Sequence, residues 1–129
     1  MLKKKVNVSR IKFLGKLDHK KTISEIKKSY ILLHPSKEES FGNIYIEAMA
    51  SGTPIVAGKN SGATSEVIKN NGVLVDINNT DEIALALLKY FKNQKFYNKV
   101  RISAYNYVFN NFNYLKISKQ YLSIFRKIK

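Results

Sequence analysis

Apolar positions along the chain follow two spacings. Over the first two-thirds they gather in short runs between Gly, Pro and Asn turns; over the last third they return at every third or fourth residue. A partial alternation closing at Gly15 predicts a strand over residues 11–14. Ile23, Ile26 and Tyr30, with Lys20, Lys21, Lys27 and Lys28 on the other side, predict a helix over 22–28. The run Tyr30-Ile31-Leu32-Leu33, closed by His34-Pro35-Ser36, predicts a buried strand. A loop over 37–42 leads to a helix over 43–51, stopped by Gly52 with Pro54 two residues on. Residues 55–57 read as a second buried strand, 58–62 as a loop, 64–69 as a short helix, and 73–75 as a strand after Asn71-Gly72. Strands alternating with helices imply a parallel sheet with crossover connections.

The remaining residues read as helices. Ala84, Leu87, Leu88 and Phe91 make one stripe over 81–91, with Thr80 as its N-cap. A longer helix spans 94–110. Over 113–128, Tyr114, Ile117, Tyr121, Ile124, Phe125 and Ile128 share a face, with Lys116, Lys119, Arg126 and Lys127 opposite. Without an internal repeat or a low-complexity linker, residues 1–129 read as one α/β domain, with 92–129 as its helical extension.

Composition narrows the chemistry. The chain has 129 residues, 44% hydrophobic and 25% charged, in the globular range. It has no Cys, so disulfides and thiolate chemistry are excluded, and with two His a His-rich metal site is disfavoured. No stretch reaches the ~18 apolar residues of a membrane span, and the opening Met1-Leu2-Lys3-Lys4-Lys5 lacks the apolar run of a secretory signal. A cytoplasmic protein is expected, with contact at the inner face of the membrane left open.

The net charge of +14 is unevenly spread. Seven of the nine carboxylates lie between residues 31 and 88, whereas 89–129 hold ten Lys/Arg and no acid. Basic ends suit an anionic partner, whether nucleic acid, membrane surface or phosphorylated ligand. A Lys- and Asn-rich background composition explains them equally well. A nucleic-acid module built on basic helices with interleaved Tyr and Phe is one alternative, though an amphipathic core face is favoured over it. Peripheral attachment to an anionic membrane through 113–128 is another.

The segment from Pro35 to Ala57 is the most informative. It reads as strand end, Gly-containing loop, helix, Gly stop and strand. A loop entering a helix at the C-terminal end of a parallel strand is a preferred ligand position. The helix start offers unpaired N–H groups and a positive dipole end to a phosphate, and Gly42 allows close backbone approach. Glu39 precedes the helix, and Glu47 follows after seven intervening residues, sharing a helix face with Asn43 and Ile44. Carboxylates accept hydrogen bonds from vicinal hydroxyls, so the arrangement suits a phosphate between two hydroxylated rings. Two glutamates at this distance are common, and Gly52, Pro54, Ala48 and Ala50 also have ordinary structural uses.

The string Pro35-Ser36-x-x-Glu39-Ser40-Phe41-Gly42-x-x-x-x-Glu47-Ala48-Met49-Ala50-x-Gly52-x-Pro54-Ile55-Val56-Ala57 resembles the signature of family-4 (group 1) glycosyltransferases. The flanks Ile11-Lys12-Phe13-Leu14-Gly15, Ser61-Gly62-Ala63-Thr64-Ser65-Glu66-Val67-Ile68 and Asn71-Gly72-Val73-Leu74-Val75 are similar to the family too. The resemblance implies the C-terminal, nucleotide-sugar-binding domain of a retaining GT-B enzyme. That domain is α/β, with a partial Rossmann-like parallel sheet, flanking helices and two or three terminal helices. It implies that Glu39, the catalytic-site carboxylate, binds donor-sugar hydroxyls. Amides of Ser40, Phe41 and Gly42 would cradle the sugar, those of Asn43 and Ile44 the diphosphate, and Glu47 would hold the ribose. Gly15, Lys16 and Leu17 would lie near the nucleobase. The implied route is front-face departure of the nucleoside diphosphate, with electrostatic stabilisation of the leaving group. No cofactor and no metal are implied, and the chain has no Asp-x-Asp pair.

The family's usual two preceding strand–helix units, with an Arg and a Lys that neutralise the diphosphate, have no counterpart here, and Lys3, Lys4 and Lys5 do not replace them. The acceptor domain is likewise absent. A missing N-terminal domain or partner chain is therefore expected, together with an acceptor glycan or lipid-linked glycan, weak transfer by the isolated chain, and self-association through exposed aromatics. Among smaller signals, His34 reads as packed or hydrogen-bonded, His19 as exposed at a helix start, Glu66 as capping, and Lys37 and Glu38 as exposed.

Overall fold

The computed structural model describes residues 11–128. Nine elements follow in order: α1 (His19–Lys28), β1 (Leu32–His34), α2 (Asn43–Ala50), β2 (Ile55–Gly58), α3 (Thr64–Ile68), β3 (Val73–Val75), α4 (Thr80–Lys92), α5 (Gln94–Asn111) and α6 (Tyr114–Lys127). The strands form a parallel sheet in the order β1-β2-β3. The expected α/β fold with crossovers and terminal helices is present.

β2 is the hub. All four of its residues are buried, and its pleat divides the core in two. Ile55 and Ala57 join Tyr45, Ala48, Met49, Val67, Ile68 and Ala104 on one face. Val56 joins Val75, Ala86, Tyr90, Tyr97 and Val100 on the other. Register keeps the faces consistent: Leu32 lies opposite Ile55, His34 opposite Ala57, and Val56 opposite Val73. Helices therefore cover both sides, as buried parallel strands require.

The α2–β2 corner forms as its residues dictate. Gly52 adopts φ +69°; its N–H donates to Met49 O at 3.0 Å, and Thr53 N–H donates to Ala48 O at 2.9 Å. This is a Schellman ending, with Pro54 preventing continuation.

Several expectations are corrected. Residues 11–14 form no strand and pair with none of β1–β3: Ile11, Phe13 and Leu14 are exposed, because apolar alternation by itself does not dock a segment on a sheet. Residues 8–10, where that alternation began, lie outside the described residues. Among the described residues β1 lies at the edge of the sheet and is only partly buried, with Leu33 exposed. α1 begins at His19, three residues before the expected start, because Asp18 caps it by accepting from Lys21 N–H. Asn79, not Thr80, caps α4, accepting from Asp81 and Glu82 N–H. The α4 stripe is also rotated: Ala86 and Tyr90 are buried, whereas Ala84, Leu88 and Phe91 are exposed. Both faces of α4 are apolar, and packing by β3 and α5 decides between them. The apolar face of α6 exists, but no residue of α6 is buried.

Candidate functional site

The Gly42 bend stands where β1 hands over to α2. Its φ is +80°, a left-handed conformation natural only to glycine. A Cβ here would run into the ring of buried Tyr45 and sit 3.2 Å from Glu39 Cγ. Gly42 is the N-cap of α2 and supplies no side-chain hydrogen bond. By contrast Asp18, Asn79, Asn93 and Asn113 cap α1, α4, α5 and α6 through their side chains. Tyr45 N–H donates to Gly42 O at 2.9 Å, whereas the N–H groups of Asn43 and Ile44 find no acceptor among the described residues. Gly42 itself is buried, while Ser40, Phe41 and Asn43 around it are exposed and Ile44 is half-buried.

Both motif carboxylates are partly sheltered and each meets a histidine. His34 Nε2 faces Glu39 Oε2 at 3.2 Å, with side chains 31% and 23% exposed. His19 Nε2 faces Glu47 Oε1 at 2.8 Å, with side chains 74% and 26% exposed. An ionised carboxylate only accepts, so the facing ring nitrogen carries the proton in each pair. His34 is hydrogen-bonded and His19 exposed at the start of α1, as read from the chain. Their partners were not legible, because one pair depends on how α1 packs against α2 and the other on a loop's return to its own strand.

A second loop underpins the first. Gly62, at φ +57°, passes so close to the Glu39 carbonyl that a Cβ would collide with it. Ala63 N–H donates to that carbonyl at 3.3 Å. Thr64 Oγ1 donates to Ser61 O at 2.6 Å and lies within hydrogen-bond distance of Tyr45 Oη at 3.3 Å, and Ser61 Oγ donates to Ser36 O. Burial pushes the Tyr45 hydroxyl above its ordinary value; Thr64 lowers it and the Glu39 charge raises it further. Glu66 is exposed in the first turn of α3, and the N-cap residue Ala63 has no side-chain bond to offer. Its contribution is a favourable charge at a helix start rather than a cap. Lys37 and Glu38 are exposed.

The expected nucleobase segment is a turn at Gly15, φ +70°, with Lys16 exposed and Leu17 half-buried. It leads through Asp18 into α1, whose His19 touches Glu47. The structure therefore joins Gly15–Leu17 to Glu47 through α1. A cleft of about 230 Å³ lies one strand over, lined by Lys37, Gly58, Lys59, Ser61, Val75, Asp76 and Asn78 among others. Neither Glu39 nor Glu47 lines it. Among the described residues, no group of three or more His, Asp and Glu is arranged to hold a metal ion, and no helix is long and apolar enough to cross a membrane.

A parallel sheet covered by helices on both faces, with loops leading from its strand ends into helices, is the architecture of Rossmann-like α/β folds. Residues 2–107 match the family described as Glycosyl transferases group 1. The chain is 34% identical over 120 residues to an uncharacterized glycosyltransferase of Methanocaldococcus jannaschii, covering 92% of this chain and 31% of the relative. Sucrose-phosphate synthase from Thermosynechococcus elongatus superposes with a TM-score of 0.83 at 25% identity, covering 98% of this chain and 32% of that one. HepE of Anabaena, solved with UDP and glucose and also with UDP-glucose, superposes with a TM-score of 0.80 at 24% identity. These alignments cover 92% of this chain and 32–33% of HepE. The chain belongs to the group 1 glycosyltransferase family. It corresponds to the C-terminal GT-B domain of larger proteins and spans about a third of the length of these relatives.

Proposed function

We propose that this chain is the donor-binding part of a retaining glycosyltransferase that moves a sugar from a nucleoside diphosphate to an acceptor hydroxyl. One observation carries the reading: the uncapped start of α2 at left-handed Gly42, bracketed by the partly sheltered carboxylates of Glu39 and Glu47. In this reading the amides of Asn43 and Ile44 receive the diphosphate. Glu39 and the amides of Ser40 to Gly42 receive the sugar, Glu47 the ribose, and Gly15 to Leu17 the nucleobase. Charge building on the departing diphosphate is stabilised by those amides and the helix dipole. A lipid-linked glycan is one acceptor class that the basic C-terminal third suits.

Calorimetric titration with nucleotides and nucleotide sugars tests the assignment. UDP-glucose is the first probe because a similarly folded protein was solved with it. Glu47→Gln is expected to weaken UDP and UDP-glucose alike, about tenfold, the size of one lost charge-assisted bond. Glu39→Gln is expected to weaken only UDP-glucose. Equal binding by all three proteins would contradict the assignment.

A second reading is membrane-surface attachment through α6. It is favoured by a helix that buries none of its residues and carries Lys116, Lys119, Arg126 and Lys127 opposite its apolar face. Co-sedimentation with anionic vesicles, and none with neutral ones, is the expected result; equal recovery with both would count against it.

A further inference from the structure

The chain's two histidines each hold one of the two motif carboxylates, but in different ways. The His19–Glu47 contact stands largely in solvent, where screening weakens it. The His34–Glu39 contact is sheltered, and both partners are themselves held. His34 is the last residue of β1, fixed opposite Ala57 of β2, with its ring edge-on to Tyr45 at 5.4 Å and 75°. Tyr45 is fully buried and bonded to Thr64. The Glu39 backbone is anchored separately by Ala63 N–H and the close pass of Gly62. A loop glutamate otherwise samples many rotamers, and ordering it on binding weakens affinity. Here backbone and side chain each have a protein partner with no ligand present. Oε2 is engaged by His34, and Oε1 has no protein partner among the described residues.

We propose that His34 is a positioning residue for the donor sugar: by engaging one oxygen of Glu39 it presents the other to the sugar's hydroxyls. This rests on the role of Glu39 given above and adds a residue to which that reading assigns nothing.

The test is calorimetric titration of the unsubstituted chain, His34→Leu, His34→Gln and Glu39→Gln with UDP-glucose and UDP, and in parallel with GDP-mannose and GDP, beside thermal melts. His34→Leu is expected to weaken the nucleotide sugar about tenfold and leave the parent nucleotide unchanged. His34→Gln keeps an N–H donor and is expected to restore most of the loss. His34→Asn, which is polar but shorter in reach, gives the same contrast if His34→Leu does not fold. Equal losses for sugar nucleotide and nucleotide mark a merely structural role and overturn the proposal. Wild-type binding by His34→Leu while Glu39→Gln weakens the sugar nucleotide overturns it too, leaving the reading of Glu39 standing. Wild-type binding by Glu39→Gln, or no binding by the unsubstituted chain, removes that reading and the inference with it.

Discussion

α2 and α6 make opposite use of a helix. α2 has eight residues, a glycine N-cap with no side-chain bond, and three fully buried side chains in Tyr45, Ala48 and Met49. α6 has fourteen residues, a well-placed Asn113 cap and basic residues in its last turn, yet buries nothing. Local signals favour α6; tertiary packing favours α2. An isolated helix of that length is marginal in water even with good caps. α2 instead is held by β2 and by α1, α3 and α5, while the N–H groups of Asn43 and Ile44 at its start find no acceptor among the described residues. The weak end of the strongly packed helix is where the proposed donor site lies.

The largest effects are expected where the α2 side is disturbed. Gly62→Ala combines a left-handed backbone with a collision at the Glu39 carbonyl and is expected to cost about 3 kcal/mol in urea unfolding. Gly15→Ala, at a similar φ with nothing within 4 Å, is the control and should cost about 1 kcal/mol. Equal costs would show that the close pass beneath Glu39 does not matter. In the same range, Met49→Ala should cost about 3 kcal/mol, against less than about 0.5 kcal/mol for Phe125→Ala on exposed α6.

Alkali offers a second contrast. Burial raises the Tyr90 hydroxyl well above its ordinary value of 10.0, and burial is also the main cause at Tyr45 and Tyr97. The folded state therefore favours the protonated phenol. Stability is complete below about pH 10, where unfolded phenols begin to ionise, and falls as pH rises toward the folded value. Tyr90→Phe should flatten this alkaline decline in pH-dependent melts, while losing the bond to Ile55 O, about 1 kcal/mol at neutral pH.

The smallest effects belong to α6. Asn113→Ala should remove the amide protection of its first turn, a local loss of about 1 kcal/mol, without moving the global transition. Tyr121→Lys with Phe125→Lys should leave the melting temperature unchanged and reduce self-association by light scattering. A large fall in melting temperature would mean that α6 is part of the core.

What could be read from the residues follows the same division. The Gly52-Thr53-Pro54 corner and the β2 run were legible because their causes are local: a left-handed glycine, a proline, a continuous apolar stretch. The Gly42 bend and its two glutamates were legible as a motif. The α4 stripe was misplaced because Leu88 and Phe91 are as apolar as Ala86 and Tyr90, and only β3 and α5 determine which face is covered. Residues 11–14 alternate without forming a strand, because pairing needs a neighbour that alternation does not reveal. The histidine partners were illegible for a similar reason: 28 positions separate His19 from Glu47, and only the packing of α1 on α2 closes that distance.

Amide chemical-shift mapping of the labelled chain on adding UDP-glucose tests the central claim most directly. Shifts concentrated on Gly15 to Leu17, Ser40 to Ile44 and Glu47, with the Lys-rich faces of α5 and α6 silent, are the predicted result. Shifts spread over those basic faces, or none at residues 40–47, would contradict it.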